Sequence, residues 1–166
     1  MKKRIISTGI RLPACDEEPG EDRIFKVPLE SEEPPDYPDG LVLLVDDEYL
    51  VREVGKGMLE RIGLNAITAT DGRDGVEKFW EFQDRFLFVI LDMTMPRMDG
   101  EEVLREIRSL RPEVPILISS GYTEQEILGR FSDEKISGFV AKPYTLENIE
   151  GNVKRVMQEL QAAHSD

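Results

Sequence analysis

Five polar side chains that could carry out chemistry each stand where a short apolar run of the sequence ends. They are Asp46, Asp47, Asp92, Ser120 and Lys142. If the runs are parallel strands, their carboxyl ends meet at one edge of a sheet, where open α/β sheets bind ligands. An Asp after a strand often only caps a helix. Four strand ends that all deliver such groups to one edge favour a site instead.

Three converging carboxylates need a cation or raised pKa values, because two carboxylates about 4 Å apart repel by ~4 kcal/mol at an effective dielectric constant near 20. Oxygen ligands suit Mg²⁺, which uses one or two carboxylates and keeps several waters. A carboxylate can also attack phosphorus, and a metal ion and a lysine ammonium would then neutralise the phosphoryl oxygens. A hydroxyl such as that of Ser120 could donate to them. No His or Glu is evidently placed to activate water, so reversible phosphoryl capture fits better than hydrolysis of an organic substrate.

The apolar runs predict strands that are buried on both faces. Strands are predicted over residues 41–45, 65–69, 86–91, 114–119 and 138–141. Helices are predicted to begin near residues 50, 72, 100, 123 and 145. Leu50 and Val54 belong to the apolar stripe of the first helix, and Phe79 and Trp80 to that of the second. Strands that alternate with helices in this way indicate an α/β fold with a parallel, doubly wound sheet.

The composition excludes several classes of protein. The 34 acidic residues outnumber the 21 basic ones, and a net charge of −13 argues against nucleic acid as a direct partner. No apolar run approaches the ~20 residues of a membrane-spanning helix, so we expect no direct membrane contact. Arg11 and polar residues 7–9 interrupt the N-terminal apolar stretch, which argues against a signal peptide. The single cysteine, Cys15, excludes an internal disulfide and fits a cytoplasmic location.

Residues 1–40 differ in character from the rest of the chain. They contain six of the ten prolines and ten acidic residues, without a helical or strand period. Such a segment cannot bury enough apolar surface to offset its chain entropy, so we predict a disordered linker or tail. The segment from 41 to 162 is predicted to form one domain, followed by a short tail over residues 163–166.

Four motifs stand at the predicted strand ends: LVDDE at 44–48, LDMTMPRMDG at 91–100, SSGY at 119–122 and AKPY at 141–144. Together they strongly resemble the receiver domain of two-component response regulators. The resemblance covers residues 41–162, and the motifs occur in the family's order and spacing. The resemblance implies a flavodoxin-like (βα)5 fold with a doubly wound parallel sheet of strand order 2-1-3-4-5.

The resemblance also implies roles for the acidic residues. Asp92 would be the phosphoacceptor, which takes its phosphoryl group from a histidine kinase in a phosphorelay. Asp47 would bind Mg²⁺ directly and Asp46 largely through water, while Asp92 and the backbone carbonyl of Thr94 would complete the ligands. The chain would then be a self-phosphorylating and autodephosphorylating switch rather than a turnover enzyme.

Three further residues receive roles from the same resemblance. Lys142 would pair with the acceptor carboxylate and then with the phosphoryl group, and its bond to Pro143 would be cis. Ser120 would be the switch hydroxyl, and Phe139 the aromatic side chain that changes rotamer with it. Phe139 replaces the common Tyr, which leaves no phenol for a partner to hydrogen-bond.

Within the family, the motifs look most like the C-terminal receivers of hybrid sensor histidine kinases, with a free-standing receiver as the alternative. Only 24 of the 166 residues follow Lys142, so no helix-turn-helix is expected after it. The expected partners are a histidine kinase or a histidine phosphotransfer protein, because the only histidine, His164, stands in the C-terminal tail. A monomer or weak dimer is expected.

Two other functions remain open from the residues. The fold could serve as a docking module without phosphorylation, although the complete set of site residues argues against that role. A Mg²⁺-dependent phosphatase of the haloacid dehalogenase type also forms an aspartyl phosphate. Its motif needs a second Asp two residues after the first, and Thr94 stands there instead.

Overall fold

The computed structural model describes residues 37–130 and 135–163. The strands are β1 (Leu41–Val45), β2 (Asn65–Ala69), β3 (Phe86–Asp92), β4 (Ile116–Ser120) and β5 (Gly138–Ala141). The helices are α1 (Tyr49–Arg61), α2 (Gly72–Phe82), α3 (Gly100–Leu110), α4 (Glu124–Arg130) and α5 (Leu146–Ala163), with a 3-10 turn at Gln83–Arg85. Most of the predicted linker and His164 lie outside the described residues. In the described part, no helix is long and apolar enough to cross a bilayer.

The five strands form one parallel sheet in the order β2-β1-β3-β4-β5, which confirms the predicted flavodoxin-like order. Parallel pairing sets Val45 beside Leu91, Asp92 beside Ser119 and Ser120 beside Ala141. The strands therefore end nearly level with one another. This register brings the polar residues that end β1, β3, β4 and β5 to one edge of the sheet.

Both faces of the sheet are covered, which explains why the strands are continuously apolar rather than alternating. Leu43 and Val45 of β1 belong to a core cluster that includes buried residues of α2, α3 and α4. Val42 and Leu44 belong to a second cluster with buried residues of α1 and α5. Successive β1 side chains thus enter opposite cores, as the period of two in a strand requires.

The apolar stripe predicted for α1 is only partly buried. Leu50 and Val54 are 73% and 48% exposed, whereas Arg52, Gly55 and Leu59 face the protein interior. Gly55 allows this face of α1 to pack closely against the interior. A Cβ at this position would lie 2.8 Å from Leu44 Cδ2 and 2.9 Å from Tyr144 Cε2. A helix presents to the sheet the face that can approach it most closely.

The stripe predicted for α2 is also only half buried. Phe79 has no exposed surface and stacks on Phe86 with ring centroids 5.5 Å apart, but Trp80 is 66% exposed. Adjacent positions on a helix point about 100° apart, so one apolar pair need not share a face. The sequence pattern correctly located the helix, and Trp80 lies outside its buried face.

The helices begin close to the residues at which the sequence predicts them to begin. A capping box starts α4, since the Thr123 amide donates to Glu126 Oε2 at 2.8 Å and the Glu126 amide donates to Thr123 Oγ1 at 3.4 Å. A second capping box joins Asp99 and Glu102 at the start of α3. The fourth strand begins at Ile116 rather than Val114, because Pro115 has no N–H to contribute to a ladder.

Candidate functional site

The site lies at the carboxyl edge of the sheet, where the predicted residues meet. Asp46, Asp92 and Ser120 are buried, with exposed fractions of 0%, 2% and 1%. The side chain of Lys142 is 15% exposed, and Asp47 faces solvent. The site therefore has buried carboxylate and hydroxyl groups in its interior, and its acidic side at Asp47 is open to solvent.

Lys142 is the cation at the centre of the site. Its Nζ lies 2.7 Å from Asp46 Oδ2 and 3.2 Å from Asp92 Oδ2. Glu48 Oε1 lies farther away, at 3.6 Å, and its side chain is largely exposed. The expected contact with Asp92 is present, but the sequence did not indicate that the shorter contact is to Asp46. The Lys142–Pro143 bond is cis, as expected.

The surroundings of Asp92 and Lys142 raise the pKa of both groups. Burial raises the pKa of Asp92 above its usual value, Asp46 adds to this effect, and Lys142 opposes it. Burial lowers the pKa of Lys142, but hydrogen bonds and charge from Asp46 and Asp92 outweigh burial and leave its pKa raised. Three carboxylates face a single ammonium group here, so a further cation at the site would be favourable.

The geometry of the carboxylates fits such a cation. One carboxylate oxygen from each of Asp46, Asp47 and Asp92 lies within 4.8 Å of the other two. The donors are all oxygens, which is the preference of hard divalent cations such as Mg²⁺. Asp47 is exposed, so the cluster can be reached from solvent.

The β3–α3 loop holds the carboxylate of Asp92 in place. The Thr94 amide donates to Asp92 Oδ1 at 3.2 Å, and the Met93 amide donates to the Ser119 carbonyl at 3.2 Å. Gly100 lets α3 start directly beneath the loop, because a Cβ there would lie 2.6 Å from the Asp92 carbonyl oxygen. Thr94 itself is exposed, and a role for its carbonyl as a metal ligand stays a prediction.

Arg52 holds the β1–α1 loop in place, a role that was not predicted from the sequence. Its Nη1 donates to the Asp46 carbonyl at 2.7 Å, and only 8% of the residue is exposed. The guanidinium also lies 5.9 Å from the centre of the Tyr49 ring. The spacing of the residues could have indicated its burial, because Arg52, Gly55 and Leu59 fall on one face of the helix.

The end of β4 carries two buried hydroxyls with different partners. Ser120 Oγ accepts a hydrogen bond from the Tyr122 amide at 3.0 Å. Ser119 Oγ lies 2.8 Å from the hydroxyl of Tyr144, a buried contact that the sequence did not indicate. The Lys142 amide donates to the Ser120 carbonyl at 3.0 Å, which ties the ends of β4 and β5 together.

Phe139 lies in β5 on the same side of the sheet as Ser120. The register pairs Ile118 with Phe139 and Ser120 with Ala141, so the two predicted switch residues are diagonal neighbours. Phe139 is half-buried, and its carbonyl accepts a hydrogen bond from Asn152 Nδ2 at 3.0 Å.

Comparisons with known proteins identify the family of the chain. The family model of the response regulator receiver domain matches residues 42–154. Sensor kinase CckA of Brucella abortus (strain 2308) is 32% identical over 118 residues, which are 71% of this chain and 12% of CckA. The chain thus spans a small part of that relative.

Solved structures show the same likeness. The receiver domain of hybrid histidine kinase CckA is 26% identical, with a TM-score of 0.60 over 71% of this chain and 99% of that one. CheY from Borrelia burgdorferi, in a CheX–CheY–BeF3–Mg²⁺ complex, is 27% identical, with a TM-score of 0.64 over 70% of this chain and 88% of that one. On the family match, the fold and the motifs at the strand ends, the chain belongs to the response regulator receiver domain family of two-component signalling and is similar to the receivers of hybrid kinases.

Proposed function

We propose that Asp92 accepts a phosphoryl group from a phosphohistidine, with Mg²⁺ at the acidic cluster, and that phosphorylation switches a protein contact. The observation that carries the proposal is the position of Lys142 Nζ between two buried carboxylates, 2.7 Å from Asp46 and 3.2 Å from Asp92. A fixed ammonium beside a nucleophilic carboxylate can stabilise the charge that develops on a transferring phosphoryl group.

In the proposed transfer, a carboxylate oxygen of Asp92 forms a bond to phosphorus while the bond from phosphorus to the donor's imidazole nitrogen breaks. The electron pair of that bond stays on the imidazole, which takes up a proton as needed. The Thr94 amide, 3.2 Å from Asp92 Oδ1, keeps the carboxylate oriented. Lys142 then faces the new phosphoryl oxygens as well as Asp46.

Asp46, Asp47 and Asp92 would hold the metal ion, with the Thr94 carbonyl as a further ligand, since their oxygens form a compact acidic cluster. When bound, Mg²⁺ would neutralise charge on the phosphoryl oxygens. The relative in complex with CheX was solved with BeF3 and Mg²⁺, which supports this assignment by analogy.

We assign the switch to Ser120 and Phe139. In the present arrangement Ser120 Oγ is held by the Tyr122 amide at 3.0 Å. A phosphoryl group on Asp92 would offer new acceptor oxygens to this hydroxyl. If the Ser120 side chain turns toward these phosphoryl oxygens, the space available to the Phe139 side chain changes, because the two residues are diagonal neighbours in the sheet.

A phosphodonor protein could dock on the exposed start of α1. Leu50 and Val54 are 73% and 48% exposed and follow closely after Asp47 in the chain. A histidine kinase or histidine phosphotransfer protein is the proposed partner, and the similarity to hybrid kinase receivers supports an origin in such a kinase. The single cysteine favours the cytoplasm as the location.

The test mixes the protein with Mg²⁺ and acetyl phosphate and measures its intact mass. We expect a gain of one phosphoryl group, which disappears with a chelator and in Asp92→Asn. Asp84→Asn is the matched control, because Asp84 is exposed in the 3-10 turn, and it should be phosphorylated like the original chain. If no adduct forms with any donor, the fold would be a docking module without phosphorylation.

A further inference from the structure

The surface between α2 and α3 carries an apolar groove that has no role in the proposed phosphoryl chemistry. Two adjoining cavities of about 670 and 600 Å³ share the residues Val76, Glu77 and Glu106. The surface that lines both cavities is called the α2–α3 groove below. Trp80 and Leu110 line one end, and the loop that follows Asp92 lines the other.

Trp80 makes this groove an unusual part of the surface. It is the only tryptophan of the chain, and 66% of it is exposed. Val76 and Leu110 beside it are only half-buried. Tryptophan is enriched among the residues that dominate binding energy, because it offers a large, rigid apolar surface. An exposed indole in a groove therefore points to an apolar contact that a partner supplies.

The charges along the groove indicate the chemistry of that partner. Its two basic residues are already paired, Arg73 with Glu77 at 3.4 Å and Arg97 with Asp71 at 3.0 Å. Glu81 and Glu106 at the Trp80 end are exposed and form no ion pair within the described residues. An indole face flanked by carboxylates attracts Lys and Arg side chains through cation–π and charge interactions.

We propose that the α2–α3 groove docks a basic, amphipathic helix of a partner protein. An apolar side chain of that helix would contact Trp80, and its Lys or Arg side chains would face Glu81 and Glu106. A second copy of this chain is a poor occupant, because a net charge of −13 places carboxylates against carboxylates. Docking of an amphipathic helix in an apolar groove is a recurring mode of recognition. This inference does not depend on phosphorylation of Asp92.

The test uses the full chain, without phosphodonor, and a helical peptide of about 18 residues with Leu on one face and Lys on the other. Fluorescence of the single tryptophan reports directly on the groove. We expect saturable binding with a shift of the Trp80 emission to shorter wavelength, and amide shifts in NMR spectra that centre on α2 and α3. A peptide with Glu in place of Lys should not bind. Equal binding of the Glu peptide, or NMR shifts centred elsewhere, would overturn the proposal.

Sequence variants can distinguish binding at the α2–α3 groove from a general attraction between a basic peptide and an acidic protein. Glu81→Gln/Glu106→Gln should weaken binding by about 3- to 10-fold, because each exposed charge pair contributes modestly. Glu147→Gln/Glu159→Gln, with the same charge change on α5, should alter binding less than about twofold. Trp80→Phe, followed by calorimetry, should also weaken binding. If the α5 variant weakens binding as much as the groove variant, or if emission shifts with protein concentration alone, the groove is not a site for a basic helix.

Discussion

Lys142 Nζ lies 2.7 Å from Asp46 Oδ2, a carboxylate with no exposed surface. The contact to Asp92 is longer, at 3.2 Å, so the lysine contacts both buried carboxylates and not the proposed phosphoacceptor alone. Within the described residues, Lys142 is the cation in contact with both buried carboxylates. Its removal should therefore affect the stability of the fold as well as the chemistry.

We expect Lys142→Met to lower the free energy of unfolding by about 3 kcal/mol or more in Mg²⁺-free buffer, because it leaves two buried carboxylates without a counter-charge and with backbone amide donors alone. Adding Mg²⁺ should restore part of the loss, since binding to the folded state stabilises it. Urea denaturation measures both effects. Lys78→Met is the control: Lys78 pairs with Asp74 at 2.8 Å near the surface and should cost about 1 kcal/mol or less. Similar losses in the two variants would contradict this account.

Tyr144→Phe should destabilise the fold by about 1–2 kcal/mol, because it leaves the buried Ser119 hydroxyl without its partner at 2.8 Å. The double variant Ser119→Ala/Tyr144→Phe removes both polar groups and should recover part of the loss. Thermal or urea unfolding of the set provides the comparison. An additive double variant would mean that the two hydroxyls do not interact.

The same tyrosine predicts a dependence of stability on alkaline pH. Burial raises the pKa of Tyr144 above its ordinary value of 10.0, and the negative charges of Asp46 and Asp92 raise it further, while the bond to Ser119 opposes them. Because the pKa is higher in the folded chain, its contribution is complete below pH 10 and declines above it. The difference in unfolding free energy between the original chain and Tyr144→Phe should therefore shrink above pH 10. A constant difference would refute the shift.

Two glycines of α1 should respond in opposite ways to alanine. Gly55→Ala places a Cβ 2.8 Å from Leu44 Cδ2 and 2.9 Å from Tyr144 Cε2, and should cost about 1–3 kcal/mol. Gly57→Ala meets nothing within 4 Å and should gain up to about 1 kcal/mol from helix propensity. Chemical denaturation of both variants is the measurement. The opposite order would mean that α1 does not pack as described.

Gly100→Ala should disturb Asp92, the proposed phosphoacceptor, through the backbone. A Cβ there would lie 2.6 Å from the Asp92 carbonyl oxygen and 2.7 Å from Met93 Cα, neither of which is a flexible group. We expect a loss of about 1–3 kcal/mol in stability and slower phosphorylation by acetyl phosphate. Gly151→Ala in α5, where a Cβ meets nothing within 4 Å, should leave phosphorylation unchanged. Normal kinetics in Gly100→Ala would show that the loop tolerates the displacement.

The sheet and the membership of the site could be predicted because both depend on local pattern. Short apolar runs predicted all five strands. The start of β4 is displaced from Val114 to Ile116, and β3 and β4 each end one residue later than predicted. The polar residue at each strand end then follows the strand to the common edge. Asp46, Asp92, Ser120 and Lys142 could be predicted to meet there for this reason.

The sequence alone therefore determined the α/β class, the strand order by resemblance and the residues at the carboxyl edge. Tertiary structure alone decided that Lys142 lies closest to Asp46, that Arg52 holds the Asp46 carbonyl, and that Trp80 faces solvent. The difference has a physical reason. Periodicity records which residues are apolar, whereas the rotation of a helix and the choice of an ion-pair partner depend on contacts between segments far apart in the chain, such as Gly55 of α1 against Tyr144 after β5.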